Sequence, residues 1–428
     1  MRRGIATTAL VAAMALAATA CGGDNDNGSG GGGKSSGEIS GTVTYWDTSN
    51  EAEKGTYRQL AEDFSKKYPK VKVNYVNVPF GETLNKFKNA AGSGGSGAPD
   101  VLRAEVAWTQ DLANIGYLAP LDGTPALADE SDYLPKAAAG TKFKDKTYAV
   151  PQVIDTLGLF YNKKLLKEAG VEPPTSWTEL EAAAKKIKEK TGKTGLYLRG
   201  DDAYWYLPFI YGEGGDLLDT KAHKVTVDEE PGVRAFAAAR DLVKSGAAVT
   251  DATDGWDNMQ NAIKNGDVAM TVNGPWAIED TLAGKAFKDD KDNLGVVPVP
   301  AGSKAQGSPQ GGQNLTVYAG SKNLDASYAF VKYMSSPEVQ ARTTEKLSLL
   351  PTRTSVYADK AVAANPNVKF FKSAVDKAVE RPWIPEGNSL FQAILVQFPN
   401  VVTGKTSPEK AAKAVGDAYR KLLKGDWK

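Results

Sequence analysis

The sequence predicts an α/β fold with two domains or two lobes. Segments with the two-residue alternation of a strand precede segments with the spacing of an amphipathic helix, and this order repeats along the chain. The chain has 428 residues, which suits two domains of roughly 100 to 200 residues each. Its hydrophobic content of 41% and charged content of 24% are typical of a globular protein.

The predicted elements begin with a strand-helix-strand unit. Residues 41–47 predict a strand, a helix follows up to Pro69, and Val71, Val73 and Tyr75 alternate as the next strand. Ser176 and Glu179 form a capping box at the start of a later helix. Further strands are predicted at 99–102 and 157–161, and further helices at 82–91, 111–117, 163–169, 177–190, 231–246, 325–334, 337–346, 369–379, 389–398 and 408–423.

Charge and rare residues exclude several classes of function. The 52 basic residues balance 51 acidic ones, so no global charge favours nucleic acid or an anionic membrane as a partner. The single histidine, His223, excludes a multi-histidine metal site and is predicted to lie in a surface turn. The single cysteine, Cys21, excludes an internal disulfide. The sequence therefore predicts no cofactor and no metal ion.

The N-terminus has the pattern of a secretory signal peptide. Arg2 and Arg3 precede an uncharged, mostly apolar run that stops at Cys21. The small residues 18–20 before the cysteine resemble the lipobox of bacterial lipoproteins, which implies cleavage after residue 20 and a diacylglycerol on Cys21. An ordinary secretory cleavage with an incidental cysteine is the alternative. The glycine-rich residues 22–37 are typical of a flexible tether, so we expect a body anchored at the outer face of the cell membrane.

Several aromatic residues lie beside polar residues in segments predicted to be loops. Trp46, Trp108, Trp276 and Trp383 are examples, as is the run Tyr204–Tyr206. A flat ring can pack on the C–H face of a sugar while neighbouring polar groups bond its hydroxyls. Burial in the core is the alternative for each ring. Carboxylate pairs for glycoside hydrolysis also remain open at this stage, since 51 acidic residues offer many candidates.

The stretch at residues 265–277, Asn-Gly-Asp-Val-Ala-Met-Thr-Val-Asn-Gly-Pro-Trp-Ala, resembles the signature region of maltose-binding proteins. These are receptors of sugar ABC importers. The resemblance extends over residues 49–69, 99–101, 157–170, 202–215, 311–320 and 329–338. It implies a two-lobed periplasmic-binding-protein-like fold (type II), with hinge crossovers and a ligand cleft between the lobes. The implied protein is a receptor without enzymatic activity that delivers sugar to a permease.

The resemblance also implies where the lobes begin and end. The N-terminal lobe is predicted to comprise 38–153 and 311–356, and the C-terminal lobe 154–310 and 357–428. The implied partners are the transmembrane subunits of an ABC permease, together with the membrane through the N-terminal lipid. A monomer is expected by analogy with the family.

Four ligand-binding residues are implied near the second lobe. Trp276 matches the family's tryptophan that stacks on a glucosyl ring. Tyr204 and Trp205 match an aromatic platform, with Trp in place of the family's Phe. Asp155 falls where the family has a hydroxyl-binding Glu.

The first lobe departs from the family pattern. The family's Trp and Asp-Arg pair after the Pro-Asp-Ile strand are absent, and Glu105 and Trp108 are predicted to bind in a different arrangement. Glu53 aligns with a hydroxyl-binding Asp, but Asn50 and Glu51 are equally good candidates. Three further ligand-binding positions are implied by the family's pattern or lie next to a position that it implies. They are Gly312, Trp383 and Phe391.

Three functions other than maltodextrin binding remain open. The same receptor role could serve trehalose or another oligosaccharide. A lipid-anchored glycoside hydrolase is a remote alternative, because Asp155 and Glu105 could face one cleft. A purely structural or interaction lipoprotein is the third. Recovery of a bound oligosaccharide intact distinguishes the receptor from the hydrolase.

Overall fold

Two five-stranded sheets organise residues 38–428, which are the part of the chain that the computed structural model describes. The predicted signal peptide, Cys21 and the tether lie outside the described residues. The strands are β1 (Gly41–Asp47), β2 (Val71–Asn77), β3 (Val101–Glu105), β4 (Lys142–Phe143), β5 (Lys146–Thr147), β6 (Ala149–Asp155), β7 (Gly158–Asn162), β8 (Thr194–Tyr197), β9 (Leu218–Asp219), β10 (Lys224–Val225), β11 (Ala248–Val249), β12 (Val268–Asn273), β13 (Leu294–Pro298) and β14 (Gly311–Val317).

Helices connect and cover these strands. They are α1 (Lys54–Lys67), α2 (Phe80–Gly92), α3 (Trp108–Asn114), α4 (Pro135–Ala139), α5 (Lys163–Ala169), α6 (Trp177–Thr191), α7 (Leu207–Gly212), α8 (Glu230–Lys244), α9 (Gly255–Asn265), α10 (Ile278–Leu282), α11 (Leu324–Met334), α12 (Pro337–Leu347), α13 (Lys360–Ala364), α14 (Pro366–Lys377), α15 (Leu390–Val402) and α16 (Pro408–Leu422). Within the described residues, none of them is long and apolar enough to cross a membrane.

The first sheet has the strand order β2-β1-β3-β14-β6. Strand β1 pairs in parallel with β2 and β3, whereas β14 is antiparallel to β3 and β6. Strands β1, β2, β3 and β6 therefore run in the same direction, and their carboxyl ends lie at one edge. The buried residues Val43, Tyr45, Phe64 and Phe330 belong to the core of this sheet. We call the sheet and its packed elements the first lobe.

The second sheet has the order β11-β8-β12-β7-β13. Strand β12 is parallel to β8 and antiparallel to β7, and β13 is antiparallel to β7. Its core is a separate cluster that includes Leu159, Phe236, Ile263 and Phe398. We call this sheet and its packed elements the second lobe.

The chain passes between the two sheets in a bonded crossover. Strands β6 and β7 are joined by Thr156 and Leu157. The Thr156 hydroxyl donates to the Pro309 carbonyl (2.8 Å), and the Leu157 N–H donates to the Ser308 hydroxyl (3.0 Å). Val379 adds a third segment, because its N–H donates to the Ser308 carbonyl (2.8 Å). These bonds tie together the segments about which a hinge motion would occur.

The predicted elements agree closely with the structure. The helix predicted at 163–169 has those bounds, and Ser176 accepts a hydrogen bond from the Glu179 N–H at the start of α6. Some bounds differ: α3 starts at Trp108 rather than at residue 111 and ends at Asn114, and α14 covers Pro366–Lys377 rather than 369–379. Helix α9 (Gly255–Asn265) has no counterpart among the predicted elements. The sequence did not predict that each sheet contains antiparallel strands beside its parallel ones. Strand pairing depends on residues far apart in sequence.

Candidate ligand-binding cleft

Three side chains of the first lobe lie at the carboxyl edge of its parallel strands. Asn50 follows β1, Glu105 ends β3 and Asp155 ends β6. Parallel strands bring their carboxyl ends to the same edge, so side chains distant in sequence meet there. Asp155 is buried, while Asn50 and Glu105 are partly exposed.

Aromatic side chains of the second lobe follow β8 and β12, whose carboxyl ends also share an edge. The Trp276 ring lies 6.4 Å from the Tyr204 ring and 6.4 Å from the Trp205 ring, centroid to centroid. The Trp205 ring N–H donates to the Val272 carbonyl (2.7 Å), which fixes this buried side chain. A Cβ at Gly274 would collide with the Trp276 ring, so glycine allows the ring its position.

The two edges face each other and are in contact. The Asn50 amide donates a hydrogen bond to the Trp276 carbonyl (3.0 Å). Trp276 also packs against both core clusters, although it belongs to the second lobe. The structure therefore places the predicted stacking tryptophan at the centre of the contact between the lobes.

A largely buried ion pair crosses the same contact. Arg381, which follows α14, pairs with Glu105 through Nη2 and Oε1. The other Glu105 oxygen, Oε2, accepts the Ala107 N–H (3.0 Å). The guanidinium carbon of Arg381 lies 5.6, 6.0 and 5.5 Å from the ring centroids of Tyr204, Trp383 and Phe391, respectively. Arg381 thus links three predicted site residues of the second lobe to one of the first.

Asp155 lies beside this ion pair. The Tyr204 hydroxyl is 3.4 Å from Asp155 Oδ1 and 3.2 Å from the Pro309 carbonyl. Burial, reinforced by the nearby Glu105 carboxylate, raises the pKa of Asp155 to about 7, although Arg381 opposes the shift. A carboxyl group with this pKa can accept or donate a hydrogen bond near neutral pH.

Two buried donors in this region lack a protein acceptor. Among the described residues, Arg381 Nε and Trp383 Nε1 have no hydrogen-bond partner. Buried polar groups are nearly always satisfied by protein, water or ligand. Arg381 and Trp383 are therefore suited to bond a hydroxyl or ring oxygen of a sugar.

The three alternatives after β1 occupy different environments. Asn50 faces Trp276, and its side-chain oxygen accepts the N–H groups of Ala52 (3.0 Å) and Glu53 (3.1 Å). Glu51 is exposed and accepts a hydrogen bond from the Lys54 ammonium (2.7 Å). Glu53 is buried. The structure brings only Asn50 of these three into a bond with a described residue of the second lobe.

Glu53 belongs to a buried charge network beneath the edge. Its Oε2 lies 3.7 Å from Arg103 Nη1, and Asp47 Oδ1 lies 3.9 Å from Arg103 Nε. Arg103 also packs over the Tyr57 ring, 4.6 Å from its centroid. Burial raises the pKa of Glu53 to about 7; Arg103 opposes this shift and Asp47 adds to it. This network supports the loop that carries Asn50.

The remaining predicted residues lie around this centre. Trp108 is buried at the start of α3, with the exposed Phe80 ring stacked on it. Gly312 has a φ of 139°, and a Cβ there would collide with the Val153 carbonyl. Its own carbonyl accepts the Val106 N–H (3.2 Å), so Gly312 positions backbone rather than a side chain.

Sequence reasoning missed Arg381 and two glycines. Arg381 is two residues before the predicted Trp383, and a charged residue beside a loop aromatic is a signal that could have indicated it. At Gly311 a Cβ would collide with Asp155 Oδ1 and the Tyr204 hydroxyl, so only glycine leaves room for that pair. Gly274 makes room for Trp276 in the same way. Neither collision is visible without the folded backbone.

The arrangement suits binding of an uncharged polar ligand through rings and hydrogen bonds. It offers aromatic faces from one lobe and carboxylate, amide and guanidinium groups around the junction. Among residues 38–428, no group of three or more His, Cys, Asp or Glu side chains could hold a metal ion. Two α/β lobes joined by a bonded crossover, with such groups between them, define a two-lobed solute receptor.

The chain belongs to the family described as bacterial extracellular solute-binding protein, whose sequence profile matches residues 48–341. The resemblance to sugar-binding proteins of ABC importers is thereby confirmed, as is the two-lobed α/β fold. This family consists of receptors rather than enzymes.

Three relatives show how far the similarity extends. The GacH receptor of Streptomyces glaucescens GLA.O, solved unliganded and with acarbose or an acarbose homolog, is 71% identical with a TM-score of 0.90, covering 91% of this chain and 100% of that one. The maltotriose-binding protein of Pyrococcus abyssi (strain GE5 / Orsay) is 26% identical over 83% of this chain and 76% of its own. The diacetylchitobiose binding protein DasA of Streptomyces coelicolor is 27% identical over 99% of both.

Proposed function

We propose that this chain is the substrate-binding lipoprotein of an ABC importer that binds maltose and maltodextrins between its lobes. The observation that carries the proposal is the meeting of Trp276, Tyr204 and Trp205 with Asn50, Glu105 and Asp155 at one junction. The aromatic rings offer faces for the apolar side of glucosyl rings. The carboxylates, the amide and Arg381 offer partners for hydroxyl groups that would otherwise be buried without a bond.

The geometry favours a receptor over a glycoside hydrolase. A hydrolase needs one carboxyl group to protonate the leaving oxygen and a second to act as nucleophile or base. Glu105 is engaged on both oxygens, by Arg381 and by the Ala107 N–H. Asp155 has the raised pKa of a general acid. Its counterpart would be Glu105, but that carboxylate is already bonded and is not free to act as nucleophile or base.

A second candidate ligand is an acarbose-like pseudo-oligosaccharide. It is favoured by the 71% identity to the receptor solved with acarbose and by the charges of the junction. Glu105 is paired with Arg381, and the ionised fraction of Asp155, whose pKa is about 7, leaves the junction with a net negative charge near neutral pH. Acarbose carries an amine in place of one glycosidic oxygen, and a protonated amine would be attracted to this excess of acid. Trehalose or another oligosaccharide remains an alternative for the same receptor role.

The first experiment is a titration of the full chain in detergent, followed by tryptophan fluorescence. The ligands are maltotriose, maltose, trehalose and acarbose, with diacetylchitobiose as a comparison. We expect saturable binding of maltotriose at micromolar concentration or below, and recovery of the sugar intact. Binding of acarbose or trehalose without maltotriose would keep the receptor role and reject maltodextrin. Cleavage of the sugar would reject the receptor.

We propose further that Cys21 carries the lipid that anchors the protein outside the cell membrane. The proposal rests on the lipobox-like residues before Cys21 and on the glycine-rich residues that follow. Replacing Cys21 with Ser should release the protein from membranes in a fractionation experiment without altering sugar affinity. A variant that stayed in the membrane fraction would reject the lipid anchor.

The lobe boundaries complete the proposal. The sequence-based boundaries give 38–153 with 311–356 as the N-terminal lobe and 154–310 with 357–428 as the C-terminal lobe. Because β6 ends at Asp155 and belongs to the first sheet, we move the first boundary to residue 155. The protein acts as a monomer that presents its closed form to the permease. Sedimentation of the detergent-solubilised chain with and without ligand tests the monomer.

A further inference from the structure

An exposed aromatic ring lies on the first lobe near the predicted site residue Trp108. The Phe80 side chain is 47% exposed, although it is one of the large apolar residues of the chain. Its ring stacks on Trp108 with centroids 5.3 Å apart and an angle of 30° between the planes. One face of the Phe80 ring is therefore supported by a buried tryptophan.

The backbone connects Phe80 to the edge that faces the second lobe. Phe80 begins α2, directly after the carboxyl end of β2. The Val78 N–H donates to the Asp47 carbonyl (2.9 Å), and the Asn77 amide donates to the Ser49 carbonyl (2.9 Å). The next residue, Asn50, bonds the Trp276 carbonyl. The loop before Phe80 is thus bonded to the loop that contacts the other lobe.

Stacking on Trp108 places the Phe80 ring at the same edge of the first sheet as Asn50 and Glu105. Strand β2 is at one end of the first sheet, and β6, which leads into the crossover, is at the other end. Phe80 follows β2, but its ring stacks on Trp108, which follows β3, so the ring spans the carboxyl ends of the two strands that flank β1 and Asn50. A sugar chain held at Trp276 must extend past that centre when it has more units than the centre can cover.

We propose that Phe80, supported by Trp108, is an outer stacking position for an additional sugar unit of a long oligosaccharide. This inference rests on the proposed function and adds a determinant of ligand length to it. An exposed ring loses contact with water when a sugar face covers it, and this burial favours binding. Because Trp108 holds the ring in place, little side-chain freedom is lost when the sugar binds.

The test compares ligands of increasing length on the full chain and on three variants. Phe80→Ala removes the ring, and Ile115→Ala removes another exposed apolar side chain, 43% exposed, at the opposite end of α3 from Trp108. Phe80→Leu keeps an apolar side chain on Trp108 but removes the flat face. Calorimetric titrations use maltotriose and maltoheptaose, and thermal melts check that each variant is folded.

We expect Phe80→Ala and Phe80→Leu to weaken maltoheptaose binding about tenfold, as for loss of one aromatic contact. Maltotriose affinity should change less than about twofold, and Ile115→Ala should change neither affinity. An equal loss for both sugars, or no loss for either, would overturn the inference while leaving the receptor function intact. Unchanged affinities with impaired uptake in cells would instead assign Phe80 to the permease contact. Absence of binding by the unchanged protein would overturn the proposed function and the inference together.

Discussion

The two lobes contribute different chemistry to the junction between them. The first lobe supplies mainly charged and polar groups, Glu105 and Asn50 among them, backed by the buried network around Arg103. The second lobe supplies aromatic rings and a single buried cation, Arg381. Neither side alone can both stack on a sugar and bond all its hydroxyls. The difference implies that full recognition requires the lobes to close on the ligand.

The ion pair between Glu105 and Arg381 links the polar first lobe to the aromatic second lobe. Its disruption should have the largest effect on stability. Arg381→Met removes the cation and leaves Glu105, whose side chain is 13% exposed, without its partner beside Asp155. We expect a loss of about 3 to 5 kcal/mol in the free energy of unfolding, as for breaking one partner of a buried pair. Chemical denaturation measures the loss.

The double variant Glu105→Gln with Arg381→Met is the matched control. It leaves no unpaired charge at this position, so it should recover at least half of the lost stability. A single variant with a loss below about 1 kcal/mol would show that the pair contributes little. The lobes would then be held together mainly by the aromatic residues.

The contribution of the second lobe's aromatic rings to sugar affinity is tested by replacing Trp276. Trp276→Ala removes the ring that packs on both core clusters and faces Tyr204 and Trp205. We expect sugar affinity to fall by about 2 to 3 kcal/mol, because central buried aromatic residues dominate binding energies. Trp427→Ala is the control, since this tryptophan stacks on His223 near the C-terminus. Equal affinities of the two variants would remove Trp276 from the site.

The charged groups of the first lobe are tested through the pH dependence of stability, which Asp155 should influence. The pKa of Asp155 is raised from 3.8 to about 7 in the folded protein. Between these values the folded state holds a proton that the unfolded state has lost, so stability decreases as pH rises towards 7. From pH 5 to pH 8 the unchanged protein should lose about 1 to 3 kcal/mol more than Asp155→Asn.

Denaturation curves at several pH values measure this difference. Glu53, whose pKa is also raised to about 7, is present in both proteins, so the difference reports Asp155. Parallel pH profiles for the two proteins would show that Asp155 is ionised in the folded state across this range. In that case the first-lobe side of the junction would carry more negative charge than the raised pKa indicates.

Within the described residues, local patterns predicted eleven of the sixteen helices but only four of the fourteen strands. Helix α5 at 163–169 and the strand at 41–47 follow from side-chain periodicity, which depends on neighbours in sequence. The placement of β14 between β3 and β6 does not, because its pairing joins residues more than 150 positions apart. Chain length suggested two domains or lobes, and only the resemblance to a known family predicted a ligand cleft between them.

Some residues of the candidate site could also be predicted from sequence, whereas others could not. Trp276 was predicted through the family-like motif at residues 265–277, and the structure places its ring beside Tyr204 and Trp205. The choice among Asn50, Glu51 and Glu53 could not be made from sequence, since three polar residues within four positions have the same local signal. Burial beside Arg103 distinguishes Glu53, and contact with Trp276 distinguishes Asn50. Arg381 was missed because its partner, Glu105, is 276 positions away.

The smallest expected effect concerns the direct hydrogen bond between the lobes. Asn50→Ala removes the donor to the Trp276 carbonyl and the acceptor for the Ala52 and Glu53 N–H groups. We expect about 1 kcal/mol less sugar affinity, the net value of one such bond, measured by calorimetry. Glu51→Ala is the control, since its exposed carboxylate bonds only Lys54 among the described contacts, and it should change affinity by less than about 0.5 kcal/mol. A larger effect from Glu51→Ala than from Asn50→Ala would place the first lobe's sugar contact at Glu51, and the polar side of the junction would then extend to the solvent-exposed part of that loop.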